Sequence, residues 1–169
     1  MKKHTPATYV AKAAIIAALY VTLTLVLAPI SFKEIQVRIS EALCILPVFI
    51  NAAVPGLFIG CLLANLLGGA LPMDIAIGSL ATLLGAIMTY LLRKKVILAP
   101  LGPVLFNALL VPIVLIYAYG VPLPYYFMVL TVGAGEVLSA GILGLLLYQL
   151  IQRNAALKKL LTGDQNMDS

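Results

Sequence analysis

The chain has 169 residues, 63% of them apolar and 10% charged. A soluble domain carries about 25% charged residues, so this chain cannot coat an ordinary water-facing surface. A cytosolic enzyme, a nucleic-acid reader and a disulfide scaffold are excluded as first readings. The +5 net charge sits in clusters at Lys2-Lys3, Arg93-Lys94-Lys95 and Arg153 to Lys159, each beside an apolar run. Such flanks are a topology signal of membrane proteins rather than the mark of an acidic partner.

The first run, Thr8 to Ala28, is long enough for a hydrocarbon core of ~30 Å at ~1.5 Å per residue. It carries Lys12 and ends at Pro29 without a small-residue cleavage site, so it reads as a retained helix rather than a signal peptide. A polar loop with Lys33, Glu34, Gln36 and Arg38 follows. Glu41 to Ala70 is one long helix or two short ones broken around Asn51 to Pro55, and Pro47 and Pro55 favour a break or kink. The later spans are Met73 to Leu92, Val96 to Tyr119 and Tyr125 to Ile151.

Charge placement decides the ambiguous stretch. With two passes there, the total is six, and the N-terminal, Arg93 to Lys95 and C-terminal clusters share one side, leaving Lys33 and Arg38 opposite. With one pass the clusters are split. The expectation is therefore an all-α membrane protein, a six-helix transmembrane bundle over 1–152 with both termini cytoplasmic, followed by a polar cytoplasmic tail over 153–169. The two middle passes are short, about 12 to 16 residues against an ordinary span of ~20. Short spans face protein or water rather than lipid, which places a cavity beside the second and third.

On this topology Glu34 lies in the first external loop, while Glu41 and Asp74 open the second and fourth spans from outside. Glu136 falls about 16 Å into the sixth. A carboxylate at that depth costs about 2.5 to 3.5 kcal/mol on insertion scales, so Glu136 should face the bundle interior and have a partner. It reads as a site residue or as a structural acid bonded to Asn65, Asn107 or a backbone carbonyl. Asp74 reads equally as an N-cap, Arg38 and Glu41 as a plain i,i+3 pair, and the two asparagines as interhelical glue. Gly56, Gly60, Ala64 and Gly68 form a small-residue stripe suited to internal packing. The pairs Ala13/Ala17 and Ala14/Ala18 suit either packing or a docking face.

Some chemistry is missing. No lysine precedes Ser or Thr, so there is no P-loop, and there is no G-x-S-x-G or H-E-x-x-H. His4 is the one histidine, and Cys44 and Cys61 lack metal-type spacing. No cofactor and no metal are expected. A hydrolase is disfavoured, although an intramembrane enzyme using Glu136 and Asp74 as acid and base stays open.

Certain blocks resemble the QueT family. They are Gln36-Val-Arg-Ile-Ser-Glu-Ala-Leu43, Leu46-Pro-Val-Phe49, Pro55-Gly-Leu-Phe-Ile-Gly60 running to Ala64-Asn65, and Asp74 before Gly78-Ser-Leu-Ala-Thr82. The last two spans match mainly by type, with Glu136 as anchor. The family comprises substrate-binding (S) components of energy-coupling-factor transporters associated with uptake of queuosine precursors. The resemblance implies a six-helix S component in a prokaryotic plasma membrane, with an outward site capped by the first loop. It also implies a transmembrane coupling subunit, docked through an A-x-x-x-A face on the first helix, and two ATPases. The implied ligand is a deazaguanine, whose paired N–H donors suit carboxylates. The substrate-binding candidates are thus Glu136, Glu41, Arg38, Asp74, Asn107, Asn65 and Gln36, with Phe32, Phe49, Tyr125 or Tyr126 for stacking. Another small cation or vitamin is the alternative ligand.

Overall fold

The computed structural model describes residues 6–27 and 38–162, and the described residues form helices without strands. Helix α1 spans Pro6–Val26, a 3-10 helix Ile39–Val48, α2 Ala53–Leu67, α3 Pro72–Leu91, and α4 Leu101–Tyr117 after a 3-10 turn at Val96–Leu98. Helix α5, Tyr125–Glu136, continues through a π-helical stretch, Val137–Leu143, into α6, Gly144–Arg153, and α7 covers Ala155–Thr162. Four stretches are long and apolar enough to cross a membrane, Pro6–Val26, Pro72–Leu91, Val96–Tyr117 and Tyr125–Arg153.

The ambiguous stretch is divided. Its first half is a 3-10 helix of 10 residues, where such runs rarely exceed three or four. At ~2.0 Å per residue it extends about 20 Å, further than an α-helix of the same length. The break falls just before Ala53, and Pro55 sits in the first turn of α2, where a missing amide hydrogen costs nothing. Helices α1 and α2 run parallel, so the 3-10 helix carries the chain back between them. The register shows this: a Cβ on Gly56 would stand 2.7 Å from the Ala13 carbonyl oxygen, and one on Gly60 would stand 3.1 Å from Ala17 Cα. The glycine stripe of α2 therefore packs against Ala13 and Ala17, both buried, while Ala14 and Ala18 are exposed on the far side of α1.

A second small-residue seam joins α3 to α4, where a Cβ on Gly102 would lie 2.4 Å from the Gly85 carbonyl oxygen. Thr89 Oγ1 donates to the Ala99 carbonyl at 3.0 Å and ties the same seam. The interior mixes small and polar residues with large apolar ones such as Ile45, Leu57 and Met128, and many further large apolar side chains, Leu91 (72% exposed) and Leu130 (68%) among them, point outward. That is the arrangement expected where the surrounding solvent is hydrocarbon.

The start of α1 and the end of α7 meet at one end of the molecule, where Lys12 Nζ donates to the Leu161 carbonyl at 2.9 Å. Within the expected tail, Ala155–Thr162 is thus helical. Asn154 Oδ1 caps α7 by accepting from the Ala156 and Leu157 amides, and Leu161 packs against the core.

Candidate functional site

Three-residue periodicity stacks side chains at i and i+3 of a 3-10 helix on one line, which places Glu41, Cys44 and Pro47 along one face behind Arg38 at the N-cap. Glu41 is 1% exposed. Its Oε1 accepts a short hydrogen bond from the Tyr20 hydroxyl of α1, and its Oε2 accepts from Cys44 Sγ at 3.0 Å. Thr24 Oγ1 donates to Ser40 Oγ at 2.8 Å, so two polar contacts pin the 3-10 helix to α1. Both Glu41 oxygens are thus engaged inside the protein.

Glu136 is the last residue of α5, and the π stretch begins directly after it. A π turn inserts an extra residue into the helical ladder and is a frequent mark of functional sites. Asn107 of α4 donates to Glu136 Oε1 at 2.9 Å, while Glu136 Oε2 is buried without a hydrogen-bond partner. Arg38 and Glu41 both lie within electrostatic reach of Glu136.

Asp74 stands in the first turn of α3, but Leu71 holds the N-cap position and the turn has no side-chain cap. The capping reading of Asp74 therefore fails. Asp74 is 2% exposed, and its Oδ2 accepts from the Tyr119 hydroxyl at 3.0 Å. That hydroxyl in turn accepts from the Leu71 amide at 3.3 Å. Partial burial, with the Asp74 carboxylate beside it, pushes the Tyr119 phenol above its ordinary range, so it stays a donor. Asn65 Nδ2 reaches Cys61 Sγ at 3.6 Å. A Cβ on Gly78 would stand 3.1 Å from Asp74 Oδ1 and 3.2 Å from Asn65 Nδ2, so Gly78 is the gap into which both side chains fit. Asp74 Oδ1 and Asn65 Oδ1 are buried without hydrogen-bond partners.

The chain thus brings Asn107 onto Glu136 and Asn65 alongside Asp74. Arg38 lies within electrostatic reach of Asp74 and Glu41. Gln36 and Phe32 fall outside the described residues. Three stacking candidates lie elsewhere. Phe49 stacks on Tyr148 with centroids 5.1 Å apart, Tyr125 donates to the Leu109 carbonyl, and Tyr126 is 70% exposed. Among the described residues, Tyr20 and Tyr119 are the aromatics that hydrogen-bond the carboxylates, and neither is among the sequence-based candidates. A tyrosine in the middle of an apolar span was the available signal for Tyr20, because a buried phenol needs a partner. A cavity of about 330 Å³ is lined by residues including Pro47 to Asn51. It lies by the turn between the second and third segments, at the end holding Lys12 and Leu161, and Glu136 does not line it.

The sequence pattern of the QueT transporter family matches residues 10–153. The chain belongs to the QueT transporter family. No curated protein and no solved structure matches it. Membership in the QueT transporter family agrees with described residues that form helices and present many large apolar side chains outward, and it points to transport rather than catalysis. The match spans both α4 and α5, so Asn107 and Glu136 lie within the family pattern.

Replacing Tyr119 with Phe in this QueT chain removes the donor to Asp74. If Asp74 holds a ligand, affinity should fall about tenfold, the effect of losing one hydrogen bond of ~1.4 kcal/mol to a charged group. Isothermal calorimetry on the purified variant reads this directly, and unchanged affinity would detach Asp74 from the site.

Proposed function

We propose that this QueT protein is the substrate-binding component of an energy-coupling-factor importer in a prokaryotic plasma membrane, and that it captures a deazaguanine precursor of queuosine from outside. The supporting observation is a set of three buried acceptor oxygens without hydrogen-bond partners, Glu136 Oε2, Asp74 Oδ1 and Asn65 Oδ1. An unsatisfied buried acceptor costs about 1–3 kcal/mol, and a guest rich in N–H donors recovers that cost. The site region contains three buried carboxyls, Glu41, Asp74 and Glu136, and one buried guanidinium, Arg38. This balance favours a donor-rich or cationic guest, which fits a deazaguanine carrying an aminomethyl group. Glu136 is 3% exposed, so ligand entry requires the helices packed around it to part.

Six passes with both termini cytoplasmic are part of the same reading. Among the described residues, Lys12, Arg93 and Leu161 surround one cavity, whereas Arg38 and Asp74 belong to the carboxylate region. The basic end is then cytoplasmic. The chain carries no P-loop, and in this reading the energy comes from partners, a transmembrane coupling subunit and two ATPases. Ala13 and Ala17 are occupied by α2, so the docking face is assigned to the exposed pair, Ala14 and Ala18.

Purified protein titrated with aminomethyl deazaguanine, guanine and a set of water-soluble vitamins is expected to bind the deazaguanine preferentially. Preference for a vitamin would overturn the ligand assignment. The double substitution Ala14→Leu/Ala18→Leu should leave that binding within twofold and abolish co-purification with the coupling subunit. Intact co-purification would remove the docking assignment.

A further inference from the structure

The cavity at the basic end plays no part in the site above. It is about 330 Å³ and lined by Tyr9, Lys12, residues 47–51, Tyr90, Arg93, Leu161 and Thr162. Its walls are of two kinds. Pro47, Val48 and Ile50 supply an apolar side, while Lys12 from α1 and Arg93 from the turn after α3 supply cations, with no acidic residue among the lining. Lys12 spends one donor on the Leu161 carbonyl and retains two. The Arg93 guanidinium lies over the Tyr90 ring, 4.1 Å from its centroid, a stacking that orients the planar fork and leaves its N–H edge for an anion. Arg93 Nη1 is 3.5 Å from the Tyr90 carbonyl, a weak contact that does not compete with a charged acceptor.

Among the described residues, the three carboxylates Glu41, Asp74 and Glu136 belong to the buried site and none lines this cavity. Lys94 and Lys95, between two spans, and Arg153, at the end of the last one, carry further positive charge. At ~30 Å³ per water the volume corresponds to about ten water molecules, more than a bare phosphate ion fills. Cations, tyrosines and an apolar wall at the end of a membrane span match the boundary between headgroup and acyl chain. Basic pockets between transmembrane helices are suited to anionic headgroups.

We propose that this cavity is a binding site for the phosphate headgroup of an anionic phospholipid, held by Lys12 and Arg93. The lipid would wedge between α1, the turn after the 3-10 helix and α7, bracing the three against one another.

Native mass spectrometry of the full chain, delipidated and given phosphatidylglycerol or phosphatidylcholine at equal concentration, tests this. Phosphatidylglycerol should be retained at least tenfold better. Arg93→Gln, and Lys12→Gln/Arg93→Gln, should reduce that retention about tenfold, with the thermal midpoint of Arg93→Gln in the lipid-free state unchanged. Lys94→Gln/Lys95→Gln, which removes the same charge outside the cavity, should change it less than twofold. Equal losses in both double variants would reduce the effect to general surface potential and overturn the site. Displacement of the lipid by equimolar glycerol phosphate would overturn the lipid as occupant in favour of a soluble anion. Absence of lipid retention, with coupling-subunit binding lost in Arg93→Gln, would assign the cavity to a protein side chain instead.

Discussion

Replacing Glu136 with Gln should weaken deazaguanine binding by about 100-fold or more while leaving the protein folded and extractable in detergent. The substitution is nearly isosteric, and the Asn107 amide that donates to Glu136 Oε1 at 2.9 Å finds a carbonyl oxygen in its place. What changes is the second oxygen, now buried without a partner. In the variant an NH₂ group there opposes the ligand's own donors. Disrupting one side of a buried charged hydrogen-bonded pair costs about 2–5 kcal/mol, and every ~1.4 kcal/mol is tenfold in affinity. Calorimetry with aminomethyl deazaguanine measures it, and wild-type affinity in the variant would show that Glu136 is structural. Glu41→Gln is the control, because both Glu41 oxygens are already engaged by Tyr20 and Cys44. Its effect on binding should be several-fold smaller and arise through displacement of the 3-10 helix.

The largest loss of stability is expected from Gly102→Leu. A Cβ there would stand 2.4 Å from the Gly85 carbonyl oxygen and 3.1 Å from Met88 Cβ, and the first obstacle is backbone that no rotamer change can move. Overpacking costs about 1–3 kcal/mol and occasionally more, and at this separation the upper part of that range applies. For a chain of this size the thermal midpoint should fall by about 6–12 °C, given ~2–4 °C per kcal/mol. Differential scanning fluorimetry in detergent reads the shift. Gly69→Ala and Gly120→Ala make informative comparisons. These two glycines have φ of +74° and +65° with nothing within 4 Å of a Cβ, so the cost there is conformational strain and not collision. A midpoint loss for Gly102→Leu no greater than for those two would contradict the tight seam.

The outer architecture was largely legible because hydrocarbon imposes a one-dimensional rule. Four apolar stretches long enough to cross had to be helices to satisfy their own backbone groups, and the structure places them within a few residues of the sequence reading. The division of the Glu41 to Ala70 stretch was legible in Pro47 and Pro55. Its 3-10 geometry was not, since period 3.0 and period 3.6 scarcely differ over ten residues. The docking ambiguity on α1 was set by a similar limit. Two A-x-x-x-A pairs one residue apart are rotated by ~100° on a helix, and only the position of α2 shows that Ala13 and Ala17 are covered while Ala14 and Ala18 are not.

The amino-acid sequence alone determined the solvent, the segments and the set of acids that had to find partners, because burial of charge and burial of backbone polar groups are penalties paid residue by residue. It also carried the family pattern. Which atoms satisfy which acids was decided by the tertiary structure: Tyr20 and Cys44 engage Glu41, Tyr119 engages Asp74, and Glu136 receives one donor for its two oxygens. Apart from Cys44 with Glu41, three residues away on one helix, those pairings join residues far apart along the chain, so they depend on helix register and rotation, which local composition does not encode. The same is true of the basic cavity, assembled from α1, the ends of the 3-10 helix and α3 with the turns after them, and α7, whose members share no motif and meet only when the bundle closes.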